Sequence, residues 1–118
     1  FKECNKNIHC YIVEPSNAAV YAGKKLINEG RHQVQGCGYA MDLPLINKEL
    51  IDGYIQVNDE EVIQTTRDLA RLEGTFVGFS SGANVCAAIK LLKEKEKGKN
   101  IALILNDSGL KYLSTDLF

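Results

Sequence analysis

Apolar and polar positions alternate between two periods along this chain, and the switches between them predict its elements. Ile8 to Val13 (IHCYIV) is a short apolar run with β-branched residues, closed by Glu14-Pro15, which predicts a buried strand. Ser16 or Asn17 stands as a cap over AAVYA, predicting a short helix, before Gly23, Gly30 and scattered Lys and Asn mark a loop. Gln33 to Pro44 (QVQGCGYAMDLP) has no clean period, and its Gly-x-Gly predicts irregular backbone. Ile46 to Ile51 suits a helical turn or two, and Tyr54 to Val57 (YIQV) a second strand.

The strongest helical signal follows. Asn58 can cap, Glu61 stands three residues on as in a capping box, and Asp59 and Glu60 complement the N-terminal dipole. Val62, Thr66, Leu69 and Ala70 share a face, Arg67 and Arg71 come late, and Gly74 stands just past the end. Thr75 to Phe79 (TFVGF) predicts a third strand, and Ser80-Ser81-Gly82 a tight turn into a second helix. Val85, Ala88, Ile89 and Leu92 would be its apolar stripe. That helix runs into KEKEKGKN, a solvated basic end with Gly98 as its stop. Ile101 to Leu105 (IALIL) predicts a fourth strand, and Asn106 to Gly109 a turn. Unbroken apolar strands alternating with helices predict an α/β fold, a mostly parallel sheet with helices on both faces.

Composition narrows the function classes. The chain has 118 residues, with 14 basic against 15 acidic side chains. That is one domain's worth, able to bury about 65% of its unfolded surface. Balanced charge argues against a nucleic-acid or anionic-membrane partner. No apolar run approaches the roughly 18 residues of a membrane span, and no signal peptide opens the chain, so the expected setting is the cytoplasm. The first residue is Phe1 rather than Met, which reads as a start in mid-protein. Cys4, Cys10, Cys37 and Cys86 form no C-x-x-C pair, and with His9 and His32 they lack the spacing of a metal site. Cys10 and Cys86 read as small buried hydrophobes; Cys37, between two glycines, is the thiol of interest.

In open parallel sheets ligands collect outside the carboxyl ends of the strands. Two turns qualify, Gly78 to Gly82 and Asn106 to Gly109. The plainest role for Ser80 or Ser81 is to cap the following helix. Gly78-Phe79-Ser80-Ser81-Gly82 nearly mimics a hydrolase elbow, but both histidines lie upstream, against the chain order of such enzymes. Gly36-Cys37-Gly38-Tyr39-Ala40-Met41 lacks the third glycine of a dinucleotide fingerprint, and no Walker sequence exists.

The segments VEPSNAAV, QVQGCGY, YIQVNDEEVIQTTRDLARLEGTFVGFSSGANVCAAIKLL and LILNDSGLKYLSTDLF together resemble the C-terminal part of the cysteine synthase family. These are fold type II pyridoxal-phosphate enzymes that include cystathionine β-synthase. The resemblance spans nearly the whole chain. It implies that residues 1–118 are the C-terminal part of a large cofactor-binding α/β domain. The N-terminal portion of the enzyme would bring the Schiff-base lysine and the phosphate cradle; no lysine here stands in that lysine motif. It also implies a cytoplasmic homodimer that binds pyridoxal 5'-phosphate and an amino-acid substrate.

By the same resemblance Ser80 matches the serine whose hydroxyl meets the pyridine nitrogen, and Asp107 and Ser108 match the residues beside it. Asn106 stands where the family usually has proline, and Leu110-Lys111 where it has Glu-Arg. The family's substrate loop commonly reads Q-G-I-G-A-G-F-I-P. Here Gln35, Gly36, Cys37, Gly38 and Tyr39 lead to Asp42 and Pro44, so that an acidic residue replaces an apolar one and Tyr39 a small one. If this loop lines the pocket, Asp42 is a candidate general base and Tyr39 shapes the cavity; otherwise Asp42 is a solvent-facing loop residue.

The activity implied is β-elimination and β-replacement on a sulfur amino acid through an α-aminoacrylate. Asp42 tilts the expectation toward hydrogen sulfide release from L-cysteine, in the manner of bacterial cysteine lyases. The alternative within the class is O-acetylserine sulfhydrylase, and the alternative outside it is a non-catalytic binding module.

Overall fold

Asn58 starts the first helix as its sequence demands. Its Oδ1 accepts the Glu61 N–H at 2.8 Å, and Glu61 Oε2 accepts the Asn58 N–H at 3.1 Å. The computed structural model describes every residue from Phe1 to Phe118. Helix α1 spans Asp59–Glu73 and stops at Gly74, whose φ of 63° is the left-handed conformation glycine adopts freely. Removing the cap side chain strands the Glu61 N–H, so Asn58→Ala is expected to cost about 1 kcal/mol, read as a lower urea midpoint at unchanged slope.

Two parallel strands pair beneath the helices. Strand β1 covers Tyr11–Pro15 and β2 Gly53–Val57, in register from Tyr11 opposite Gly53 to Pro15 opposite Val57. The first strand begins three residues later than the apolar run suggests, and Ile8 is exposed. The helix expected over AAVYA is only a single 3-10 turn, Ser16–Ala18, with no side-chain cap. Its place is taken by Glu14, buried at 4% exposure, whose carboxylate accepts the N–H groups of Tyr21 and Ala22, both at 2.9 Å. These two bonds commit the Tyr21 and Ala22 N–H groups to a side chain rather than to a helical ladder.

The second helix, α2, spans Phe79–Lys93 and starts before the predicted serine turn. Its buried stripe is Phe79, Ala83, Cys86, Ala87, Ala88 and Leu91; of the expected Val85, Ala88, Ile89 and Leu92 only Ala88 is buried, and Ile89 stays 42% exposed. Starting the helix at Phe79 fixes that phase, because Phe79 is the residue that enters the core. The helix ends at Lys93, five residues before Gly98, which lies in a later turn with φ of 78°. Gly82 makes the crossing of the helices possible: a Cβ there would overlap Thr66 Oγ1 on α1. Lys90 Nζ ties α2 to both neighbours, donating to Gln56 O at 2.9 Å and to Glu61 Oε2 at 2.7 Å.

The core joins Val34, Val57, Val62, Phe79, Ala83, Cys86, Ala87, Tyr112 and Leu117. Arg67 on α1 holds the chain around Leu117, donating to the carbonyls of Leu117 at 2.8 Å and Asp116 at 2.7 Å. The α/β class with a parallel sheet is what the chain adopts, but two expected strands are not strands. Thr75 to Phe79 contributes only an isolated antiparallel bridge, Val77 opposite Ser108. Ile101 to Leu105 has no strand beside it, and Ile104 is 72% exposed. An apolar pattern gives strand character only where a neighbouring ladder accepts its backbone groups. No helix is long and apolar enough to cross a membrane.

Candidate functional site

The Val77–Ser108 bridge brings the two candidate turns side by side. Gly78 N–H donates to Asp107 O at 3.1 Å, and Gly109 N–H to Phe76 O at 3.1 Å. Glycine is required at 78, because a Cβ there would run into the Tyr112 ring and Asp107 Oδ1. Ser81 Oγ, fully buried, accepts the Asn106 N–H at 2.9 Å. Asn84 Nδ2 adds bonds to Ile104 O at 2.9 Å and Asn106 Oδ1 at 3.1 Å. Neither serine caps the helix: Gly78 is the N-cap, and no side chain bonds the first turn. Ser81 is structural, whereas the half-buried Ser80 hydroxyl has no hydrogen-bond partner within the chain.

Asp107 completes this corner. Its Oδ2 accepts the Tyr112 hydroxyl at 2.6 Å, with Lys111 Nζ 3.6 Å away, while the buried Oδ1 has no partner. Tyr112 is 2% exposed and meets Phe79 edge-on, with ring centroids 5.2 Å apart. Burial, reinforced by the Asp107 carboxylate, pushes its phenol up to about 12, so it donates to Asp107 as a neutral hydroxyl. Tyr112 was missed in the sequence, where a lone aromatic five residues after Asp107 carries no periodic signal.

The loop before β2 packs partly on the core and stays partly exposed. Gly36, Gly38 and Ala40 all have positive φ, at 81°, 65° and 56°. Cys37 packs against the core cluster that holds Phe79 and Tyr112. Burial pushes its thiol up to about 11, which keeps it protonated and poorly nucleophilic near neutrality. Gly38 O pairs with His32 Nε2 at 3.0 Å, and a Cβ at 38 would stand 2.7 Å from Pro15 Cγ. Tyr39 is 63% exposed, its hydroxyl donating to Gly36 O at 3.3 Å.

Asp42 lies elsewhere on the surface, sharing no hydrogen bond with Ser80 or Asp107. It is paired to Lys48 Nζ at 2.7 Å. With Val20, Tyr21, Lys48 and Tyr54 it lines a hollow of about 160 Å³. The Lys48 ammonium holds its carboxyl below the usual carboxylate range, so Asp42 is ionised throughout the physiological range. Of the predicted residues, then, the fold brings the Ser80 and Asp107 turns together, packs Cys37 against the core, and leaves Tyr39 and Asp42 exposed.

Three kinds of comparison converge on one family. The profile of the family described as pyridoxal-phosphate dependent enzyme matches residues 1–107. Cysteine synthase B of Campylobacter jejuni is 42% identical over 117 residues, which are 99% of this chain and 38% of that protein. A probable cysteine synthase of Bacillus subtilis is 38% identical over 99% of this chain and 37% of its own length. Among solved structures, cysteine synthase from Entamoeba histolytica superposes with a TM-score of 0.91 at 34% identity, covering 99% of this chain and 34% of that one. A hydrogen sulfide-producing enzyme from Fusobacterium nucleatum gives 0.87 at 32% identity, covering 98% and 34%. The chain thus spans little more than a third of the length of the relatives it matches.

Proposed function

Since the chain belongs to the pyridoxal-phosphate dependent enzyme family, we propose that it forms one wall of a pyridoxal phosphate site in an enzyme of sulfur amino-acid metabolism. Its reaction in this reading is β-elimination and β-replacement, with release of hydrogen sulfide from L-cysteine. The observation that carries this reading is the Ser80 hydroxyl, unpartnered within the chain, one residue from the Ser81 anchor. The residues present fit the cofactor. A neutral hydroxyl suits a pyridine nitrogen, and Asp107, fixed through Tyr112 and the Gly78 N–H, is rigid enough to hold that corner in shape.

Pyridoxal phosphate would supply the electron sink for the α-carbon of the amino acid. Ser80 would hydrogen-bond the ring nitrogen without fixing a proton on it, which keeps the sink weak and favours loss of a β leaving group. Asp42 would take a proton from the incoming water or thiol. Lys48 favours its basic form and makes it a weaker base than an unpaired carboxylate. Gly36 and Gly38 would give the loop the backbone freedom to close around the substrate.

Cysteine synthesis from O-acetylserine is the second reading, favoured by the cysteine synthase names among the relatives. Both readings place the enzyme in the cytoplasm as a homodimer. Steady-state turnover of the full-length protein separates them: L-cysteine consumed faster than O-acetylserine plus sulfide is the expected result, and the reverse would establish the synthase. In either direction Asp42→Asn is expected to lower kcat about 10²-fold, the low end for a general base. Unchanged elimination and replacement rates would remove Asp42 from the chemistry.

A further inference from the structure

The cluster around Asp42 has more parts than a surface ion pair needs. Lys48 Nζ stands 2.7 Å from Asp42 Oδ2 and 5.8 Å from the centroid of the Tyr21 ring. That ring lies parallel to Tyr54 on β2, with centroids 6.2 Å apart and planes within 11°. The Tyr21 hydroxyl accepts the Leu43 N–H at 2.5 Å, from the residue next to Asp42, and stands beside the carboxylate itself. Lys48 is in turn fixed by a 3-10 turn, Lys48–Leu50, that Asn47 caps through the Glu49 N–H at 3.0 Å. Each part thus traces back to a rigid element, β2 or the capped turn.

We propose that Lys48 and Tyr21 are positioning residues for Asp42, a two-point clamp that aims one carboxylate edge of an otherwise irregular loop. The proposal rests on the reading of Asp42 as a general base. The physical need is plain. The loop carries positive φ at Gly36, Gly38 and Ala40, so its backbone alone does not fix a side chain two to six residues on. A base displaced by an ångström loses up to about 10²-fold in rate. Lys48 supplies the charge that draws the carboxylate to one side and holds it below its usual range, and Tyr21 pins the neighbouring backbone. The titratable groups facing Asp42 are these two, with Tyr54 behind them near Lys48.

The test uses the full-length holoenzyme, comparing wild type with Lys48→Met, Lys48→Arg and Tyr21→Phe. One readout is independent of turnover: NMR titration of the ¹³C-labelled Asp42 carboxyl, assigned by its loss in Asp42→Asn. In wild type it should titrate below the usual carboxylate range. Lys48→Met should move the midpoint up and Lys48→Arg restore it. The second readout is kinetic: Lys48→Met should lower kcat about tenfold at unchanged KM, with the acid limb of the rate profile moving to higher pH, and Tyr21→Phe should lower kcat and move that limb the same way by less, since its hydroxyl lowers the Asp42 carboxyl less than Lys48 does. An Asp42 midpoint identical in wild type and Lys48→Met overturns the clamp. So does full kcat in Lys48→Met while Asp42→Asn is impaired. If Asp42→Asn itself turns over at the wild-type rate, the base reading falls and Lys48's kinetic role with it, an outcome distinguishable because the titration still reports the ion pair.

Discussion

Ser80→Asp is expected to lower turnover of the full-length enzyme 10²–10³-fold while leaving its melting temperature unchanged or slightly higher. The two halves of that outcome come from different parts of the same residue. Position 80 lies in the first turn of α2, where a carboxylate complements the helix dipole, so the fold tolerates aspartate. With Ser80 at the ring nitrogen as proposed, a carboxylate there would hold a proton that the serine hydroxyl does not, deepening the electron sink and changing which bond breaks. It would also bring a second negative charge toward the corner where Asp107 Oδ1 is buried without a donor. Ser80→Ala removes only a neutral hydrogen bond, about 1 kcal/mol, and should slow turnover about fivefold. Steady-state kinetics beside a thermal melt checks both. Equal effects from Ala and Asp would remove Ser80 from the nitrogen.

Gly82→Ala should destabilise the fold by about 2 kcal/mol, although alanine is the better helix former. Helix propensity favours the substitution by about 1 kcal/mol. Against it, the new methyl overlaps Thr66 Oγ1 and stands 3.0 Å from Val62 O, and Thr66 has no room to retreat, being 0% exposed and bonded to Val62 O at 2.7 Å. Overpacking of a closed contact costs about 3 kcal/mol, which wins. Thr66→Ala in the same chain should recover part of the loss, because it removes the atom the methyl strikes. Urea unfolding of the two single variants and the double variant reads this directly; additive costs would show that the helices do not meet at this point.

How far the sequence speaks depends on whether a feature is local. The capping box of α1, its glycine stop and strand β2 are written in adjacent residues, and the structure keeps them at the expected positions. The phase of α2 is not local: its buried face is set by Phe79 meeting Tyr112, which no heptad count around Val85 reveals. Strand character for Thr75 to Phe79 and Ile101 to Leu105 fails for a related reason, since a strand is a property of a pair and these segments find at most a single bridge. Among the candidate site residues, Ser80 and Asp107 come from their motif, whereas Tyr112, Lys48 and Tyr21 enter through contacts made only in the fold. Glu14 is the plainest case. An acidic residue at the end of an apolar run looks like a terminator, yet it is buried and anchors the next turn.

The burial of Leu117 carries a consequence for how this chain folds. Leu117 is 0% exposed and shares one apolar cluster with Val34, so the core joins residues 83 positions apart in the chain (117−34). Such contacts require a long loop to close before any burial rewards it, which slows folding relative to a helical bundle of equal size. During synthesis the order is fixed: Val34, Val57 and Val62 emerge first and stay without Leu117 until residue 117 clears the ribosome. Exposed apolar surface waits through that interval, and the Arg67 hydrogen bonds to the 116 and 117 carbonyls form only when it ends.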